Sequence, residues 1–216
     1  ILGNMNAITY KEVFPYLKDN VIWLGYKDLN HDMYFNVTDD YKAWLLANKK
    51  EGSAYKIING VVMGRLASAC WFTNIDHGKR HEWLKLDTMA HNLKFNKKLR
   101  KKLEKDFGAI RYPNYDNYDA IYVPFVESIP SDYDGIMGVP ITFLDKYNPA
   151  QFKIISMSRD APGYTGMRKN FLDDYFAQGG TGSMKPGHPD LGLYTADGKA
   201  IVPYRRILIR FRRGNS

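Results

Sequence analysis

Phe95, Leu99, Leu103 and Phe107 recur at every fourth position, which lays four apolar side chains along one side of a helix. The remaining positions of the stretch hold Lys94, Lys97, Lys98, Arg100, Lys101, Lys102 and Lys105, against a single Glu within 94–105. Such a helix is stable only when its apolar side rests on other elements, so the chain must supply a core. Its basic side then faces water or a polyanion. The material for a core exists. Hydrophobic residues make up 44% and aromatic residues 14% of 216 positions, which suits one ordinary domain, or a domain with an appendage, and argues against disorder.

The net charge is +8 and the isoelectric point is near 9.3, a field that favours nucleic acid. A single cysteine, Cys70, excludes an intramolecular disulfide framework and a Cys-rich zinc site. A reducing, cytoplasmic setting is the expectation. No stretch reaches the roughly 18 apolar residues of a membrane span, and the N-terminus lacks a signal peptide's regions.

Along the chain, Ile1–Leu2 reads as a strand end followed by the turn GNMNA. Thr9 and Glu12 match a capping box for a short helix, bent or ended near Pro15. Val21–Tyr26 reads as a strand, giving a strand–turn–helix–strand unit whose Asn-rich turn lies at a strand's carboxyl end, the edge where α/β sheets bind ligands. A helix is expected over Tyr41–Asn48, one strand within Val61–Asn74, and short strands over Ala120–Val123 and Val139–Leu144. Asn148-Pro149 resembles a helix cap before the strand Lys153–Met157. Residues 159–192, rich in Gly, Pro, Asp and Ser, read as a long mobile loop. A closing hairpin turns at Ala196–Lys199, and period two places Arg206, Arg210 and Arg212 opposite Ile207, Ile209 and Phe211.

Several tempting motifs fail. Gly179-Gly180-Thr181-Gly182 has neither a Lys-Ser/Thr pair at phosphate-loop spacing nor a preceding strand. His77 and His81 lack a third zinc ligand. The string Asp28–Asp32 starts like a calcium loop but lacks its glycine at position six and its glutamate at position twelve. Cys70 shows no local sign of activation, and no Gly-x-Ser-x-Gly is present. A nuclease, suggested only by Asp116/Asp119 and Asp132/Asp134, lacks the strand-borne Asp with a following Glu-x-Lys.

Five stretches, LGNMNAITYKEVFP (2–15), WFTNIDHGKRHEWLKL (71–86), YPNYDNYDAIYV (112–123), YDGIMGVPITFLDKYNPAQFKII (133–155) and RRILIR (205–210), together resemble the adenine-specific DNA methyltransferases of the EcoRI modification-methylase type. They stand in family order across nearly the whole chain. The resemblance implies methyl transfer from S-adenosylmethionine to the exocyclic amine of an adenine flipped out of double-stranded DNA. It also implies an Asn/Asp-Pro-Pro-aromatic tetrapeptide, which these 216 residues do not contain; Asn148-Pro149-Ala150-Gln151-Phe152 comes nearest, with Ala in place of the second Pro. No strand–glycine loop for the methyl donor is present either.

By this resemblance the chain is expected to be the C-terminal portion of such an enzyme, inert alone. Its fold would be α/β: a truncated Rossmann-like methyltransferase half-sheet over 1–88, then a smaller α+β region facing DNA over 89–216. Asn4 and Asn6 would edge the cofactor pocket, and Trp71, Phe72 and Asn74 would border the flipped base. Phosphate contacts would come from Lys79, Arg80, Lys97, Lys98, Arg100, Lys101, Lys102, Arg205, Arg206, Arg210 and Arg212. An incomplete sheet would leave an edge for a missing N-terminal half or a second copy. The rival reading is a non-catalytic basic DNA-binding module or recognition subunit.

Overall fold

The computed structural model describes residues 1–29 and 31–212; Asn30, in the middle of the dismissed calcium string, lies outside them. Strand β1 (Leu2–Asn4) leads through a 3-10 turn over Met5–Thr9 into helix α1 (Phe14–Lys18) and strand β2 (Trp23–Leu24), so the expected strand–turn–helix–strand order is present. The helix begins later than the capping box implied. Thr9 closes the 3-10 turn, its hydroxyl donating to the Asn6 carbonyl at 3.0 Å. Pro15 occupies the first helical turn, where a missing N–H costs no helical bond, so it opens α1 and does not end it.

Strand β3 (Met33–Asn36), helix α2 (Asp39–Asn48) and strands β4 (Tyr55–Ile58) and β5 (Val61–Leu66) follow, with an antiparallel sheet of order β3-β5-β4. The helix expected over 41–48 lies inside α2. The single strand expected within Val61–Asn74 is instead two, because Ser68 adopts φ +56° and turns the chain into β6 (Ala69–Thr73), which joins another sheet. There β6 runs antiparallel to both β1 and β2 and lies between them. β1 and β2 therefore point the same way without touching, whereas a Rossmann-like half-sheet pairs parallel strands directly. What forms is a mixed α/β arrangement of small sheets.

Helices α3 (Met89–Phe95) and α4 (Lys97–Phe107) replace the single helix read from the period-four pattern. Asn96 accepts from the Leu99 N–H at 3.0 Å and caps α4, so Phe95 falls outside its buried stripe and is 57% exposed. Strands β7 (Ile121–Tyr122), β8 (Met137–Pro140) and β9 (Phe152–Met157) precede helix α5 (Lys169–Ala177), the pair β10 (Leu193–Tyr194) and β11 (Ala200–Ile201), and the final strand β12 (Arg206–Phe211). The second of these strands lies earlier than the expected 139–144, because Ile141–Lys146 coils as a 3-10 segment. The 159–192 segment contains α5, pinned by Phe171 and Leu172 in a small core, where a long loop was expected. β12 is the second strand of no hairpin. It sits inside a four-stranded sheet of order β7-β8-β12-β9, antiparallel to β8 and β9.

The larger hydrophobic core runs from Ile8, Phe14, Leu24 and Phe72 through Leu99 and Leu103 to Phe143, Phe152 and Ile207, crossing the 88/89 boundary. Polar side chains from residues 145–151 reinforce that crossing. Gln151 accepts from the Leu84 N–H and donates to the Leu84 carbonyl, both at 2.8 Å. Asn148, expected as a helix cap, is buried; it donates to the His81 and Glu82 carbonyls and no helix follows it. Asp145 accepts the Leu29 N–H at 3.0 Å. Burial pushes the Asp145 carboxyl above the ordinary carboxylate range, against the opposing Leu29 hydrogen bond and Lys79 charge.

Gln151→Leu would strand the Leu84 N–H and carbonyl and is expected to cost about 1–3 kcal/mol per stranded group, read as a lower urea midpoint. For Asp145 the folded value lies above the unfolded one, so its ionisation opposes folding at neutral pH and ceases to do so once both states are protonated. Asp145→Asn keeps an acceptor for Leu29 and is expected to raise the melting temperature at pH 7. The gain should vanish below the ordinary carboxylate range; an equal gain at all pH values would reject the assignment.

Candidate nucleic-acid interface

Helix α4 is held by its apolar stripe: Leu99 and Leu103 are fully buried and Phe107 nearly so. At its end Gly108, at φ +68°, donates to the Glu104 carbonyl, a left-handed close that a side chain would strain. Phe107 packs against the Tyr122 ring at 5.4 Å, and the Ala196 N–H donates to the Phe107 carbonyl at 2.8 Å. These contacts bring the β10–β11 turn and strand β7 against the helix. Between them opens a cleft of about 920 Å³, lined by Lys102, Lys105, Tyr122, Lys199, Tyr204 and Arg206 among others. The Arg206 guanidinium lies 4.8 Å from the Tyr122 ring centroid and donates to the Tyr122 hydroxyl at 2.7 Å. Two basic stretches far apart in sequence thus meet at one site.

The lysines of α4 are not equivalent. Lys98 pairs with Glu127 at 2.6 Å and lies over the Phe125 ring, and Lys102 pairs with Asp106 at 2.6 Å. Arg100 donates to the Lys94 carbonyl at 2.9 Å. Lys97, Lys101 and Lys105 are exposed, and their side chains have no hydrogen bond or ion pair among the described residues. Spacing of four puts these three on one helical stripe that runs into the cleft. The Lys199 side chain, across the cleft, likewise has no hydrogen bond or ion pair among the described residues. Glu104, Asp106 and Asp197 also line it, so its charge is mixed, with the free cations at its rim.

Lys79 and Arg80 are engaged differently from the expected phosphate contacts. Lys79 pairs with Asp28 and donates to the Tyr26 carbonyl at 3.1 Å. Arg80 stacks on Trp23 at 3.4 Å and donates to Asn20 at 2.6 Å. Both side chains are nearly covered, and burial lowers the Lys79 ammonium below its ordinary range. They tie the 76–81 segment to β2. Arg205 reaches the Thr9 hydroxyl at 3.3 Å, and Arg212 donates to the Phe152 carbonyl at 3.3 Å. On β12, Arg206 and Arg210 share a face with Leu208, as period two implied, but Leu208 is fully buried. The arginines therefore mark two ends of a covered strand.

The residues expected around the cofactor and the base do not converge. Asn4 and Asn6 are exposed at the carboxyl end of β1, where the Asn4 side-chain carbonyl accepts the Asn6 N–H at 2.8 Å. Asn4 pairs with Ala69 at one end of β6, while Asn74 lies past its other end. At about 3.3 Å per residue the two are on the order of 16 Å apart. Phe72 is buried against Gly3, and Trp71, on the opposite face, is 41% exposed. Cys70 is buried, and burial pushes its thiol up to about 11, away from the thiolate form. His77 and His81 bond to the Leu24 carbonyl and Asp76, and no group of three or more metal-ligating residues occurs among the described residues. Gly179 and Gly180 close helix α5. No helix among the described residues is long and apolar enough to cross a membrane.

Tyr122 and Lys199 were not legible as site residues. Tyrosine is spread along the whole chain, and Lys199 stands alone in a turn, so neither carries a local signal.

The scaffold is mixed α/β, with a cleft of mixed charge beside a basic helix. The family model described as adenine-specific methyltransferase EcoRI matches residues 1–212, and the chain belongs to that family. Similar curated proteins include the type II methyltransferase M.MgeORF184P of Mycoplasma genitalium, 39% identical over 155 residues, covering 72% of this chain and 43% of the relative. M.EcoRI of Escherichia coli is 38% identical over 160 residues, covering 74% and 42%. M.MpnI of Mycoplasma pneumoniae is 31% identical over 159 residues, covering 72% and 42%. Each match thus covers less than half of the relative. No solved structure matches.

Replacing Lys97, Lys101 and Lys105 together by Gln is expected to lower the log-log salt slope of duplex binding by about 2–3. Lys79→Gln should leave that slope unchanged while lowering the melting temperature, because its charge is already paired. Fluorescence anisotropy with a labelled duplex across a salt series checks both.

Proposed function

We propose that this chain forms the DNA-gripping part of an adenine-specific DNA methyltransferase, which moves a methyl group from S-adenosylmethionine to the exocyclic amine of a flipped adenine. The observation that carries the reading is the family match over residues 1–212 on a chain that builds a free lysine stripe beside an Arg206 cleft. In this reading the β1-β6-β2 sheet is the rim of a larger methyltransferase sheet. β1 bonds only to β6 among the described residues, so its second edge is open to a further strand. Residues 89–212 then supply the surface that meets the duplex. Lys97, Lys101, Lys105, Lys199 and Arg206 are its phosphate contacts; Lys98, Arg100 and Lys102 lie on the same helix with their charges partly engaged.

These residues do not by themselves make a methyl-donor site. Asn4 has its carbonyl engaged by Asn6, neither residue is enclosed, and no Asn/Asp-Pro-Pro-aromatic tetrapeptide occurs in the 216 positions. The chain alone is therefore expected to bind duplex DNA and not to transfer methyl groups. The same geometry suits a non-catalytic recognition module, and the two readings part on one point. A methyltransferase portion regains donor binding and activity when joined to residues bearing the tetrapeptide, and a recognition module does not.

With these five phosphate contacts, log affinity is expected to fall with log salt at a slope of about −4.5. A slope near zero would remove the electrostatic basis of both readings. Isothermal titration with S-adenosylmethionine is expected to show no micromolar binding by these residues alone. Micromolar binding would mean that the donor site lies within them and would overturn this reading.

A further inference from the structure

A second cleft, of about 470 Å³, opens at the Arg210 end of β12 and belongs to no site described above. Its walls include Tyr118, Asp119, Tyr133, Gly135, Gly163 and Arg210. Tyr118 is braced edge-on against Tyr164, and Tyr164 is in turn fixed by the Asn117 side chain at 3.1 Å. Asn117 also donates to the Asp190 carbonyl and accepts the Gly192 N–H, both at 3.0 Å, so this wall is rigid. Tyr133 folds back over Gly135 so closely that a Cβ there would lie 2.5 Å from its hydroxyl, while a Cβ at Gly163 would meet nothing. The result is two half-buried aromatic rings facing open space.

Two charged groups at this cleft are unsatisfied. Asp119 is exposed and has no hydrogen bond or ion pair among the described residues. Its charge reaches both rings, adding to burial in raising the Tyr118 and Tyr133 hydroxyls above their ordinary range, so both stay neutral donors. Arg210 uses only its Nε, donating to the Asp134 carbonyl at 3.0 Å, and its two terminal amino groups have no partner among the described residues. Half-buried aromatic rings lining a cleft offer a stacking surface for a flat heterocycle, a free carboxylate accepts from an exocyclic amine, and the open terminal amino groups of a guanidinium take a phosphate.

We propose that this cleft binds one unstacked nucleotide whose base carries an exocyclic amine, the ring lying on Tyr118 or Tyr133, the amine donating to Asp119 and the phosphate held by Arg210. The site stands apart from the lysine stripe and does not depend on methyl transfer. On β12 it lies about 13 Å from Arg206, at roughly 3.3 Å per residue, with the buried Leu208 between.

The test is titration of the whole chain with matched nucleotides that differ in the amine: adenosine against inosine monophosphate, and cytidine against uridine monophosphate, followed by NMR or calorimetry. The amino member of each pair is expected to bind about tenfold tighter or better, the worth of one hydrogen bond to a charged group. Asp119→Ala should abolish that preference without changing the melting temperature, because the carboxylate has no partner to lose. Arg210→Gln should weaken all four nucleotides alike. Equal affinities within each pair, a preference that survives Asp119→Ala, or no binding up to millimolar nucleotide would each overturn the proposal. The Lys97/Lys101/Lys105 triple variant separates this site from the duplex interface, since it should weaken duplex binding and leave nucleotide preference intact.

Discussion

Ile207, Leu208 and Ile209 are three consecutive residues of β12 sealed from water on both faces of the strand. A strand covered on both sides needs a hydrogen-bonded neighbour along each edge, and β8 and β9 provide them. Each such side chain contributes about 1.5–3 kcal/mol on burial, so the middle of the strand is fixed by packing. Its two ends are then fixed as well, and they carry Arg206 and Arg210. The basic groups owe their positions to the apolar run between them.

Around that strand the remaining elements take up positions that set the chemistry of the surface. Gly138 on β8 pairs with Leu208, and its missing side chain leaves room for the Tyr115 ring; a Cβ there would lie 2.2 Å from the Tyr115 hydroxyl. Tyr115 roofs the centre of the sheet, and burial pushes its hydroxyl well above the ordinary range, so it stays neutral. Tyr122 on β7 takes the Arg206 end, with Phe107 of α4 behind it. The cleft beside α4 and the cleft at Arg210 are thus opposite ends of one covered sheet face. Polar side chains on the 145–151 stretch hold residues 29 and 81–84 against the same core, which is why no break in packing appears at residue 88.

What was legible in the sequence follows from where the determining physics is local. The period-four stripe located α4, the Ala196–Lys199 turn was correctly placed, and alternation along β12 put Arg206 and Arg210 on one face. The misreadings share a cause. Asn96 divides α3 from α4 with a cap that looks like any helical polar residue until its bond to Leu99 is seen. The Thr9–Glu12 pair had the composition of a capping box, but the preceding Asn4 turn claimed Thr9 for a 3-10 segment. Glycine and proline around 159–192 concealed α5, whose Phe171 and Leu172 have a place to bury only once residues 194–202 fold back over them. Lys79 and Arg80 looked like free cations because their partners, Asp28 and Trp23, lie some 50 residues away.

Alone, the sequence determined the family, the amphipathic basic helix, the mixed α/β content and the absence of a catalytic tetrapeptide from these residues, since each is written in residue identity or short-range spacing. Tertiary structure decided that β6 separates β1 from β2, that three of the helix lysines stay free while others are paired, and that Arg206 and Arg210 head different clefts. Charge is a property of a residue, but availability of that charge depends on which carboxylate, ring or carbonyl the fold brings within a few ångströms.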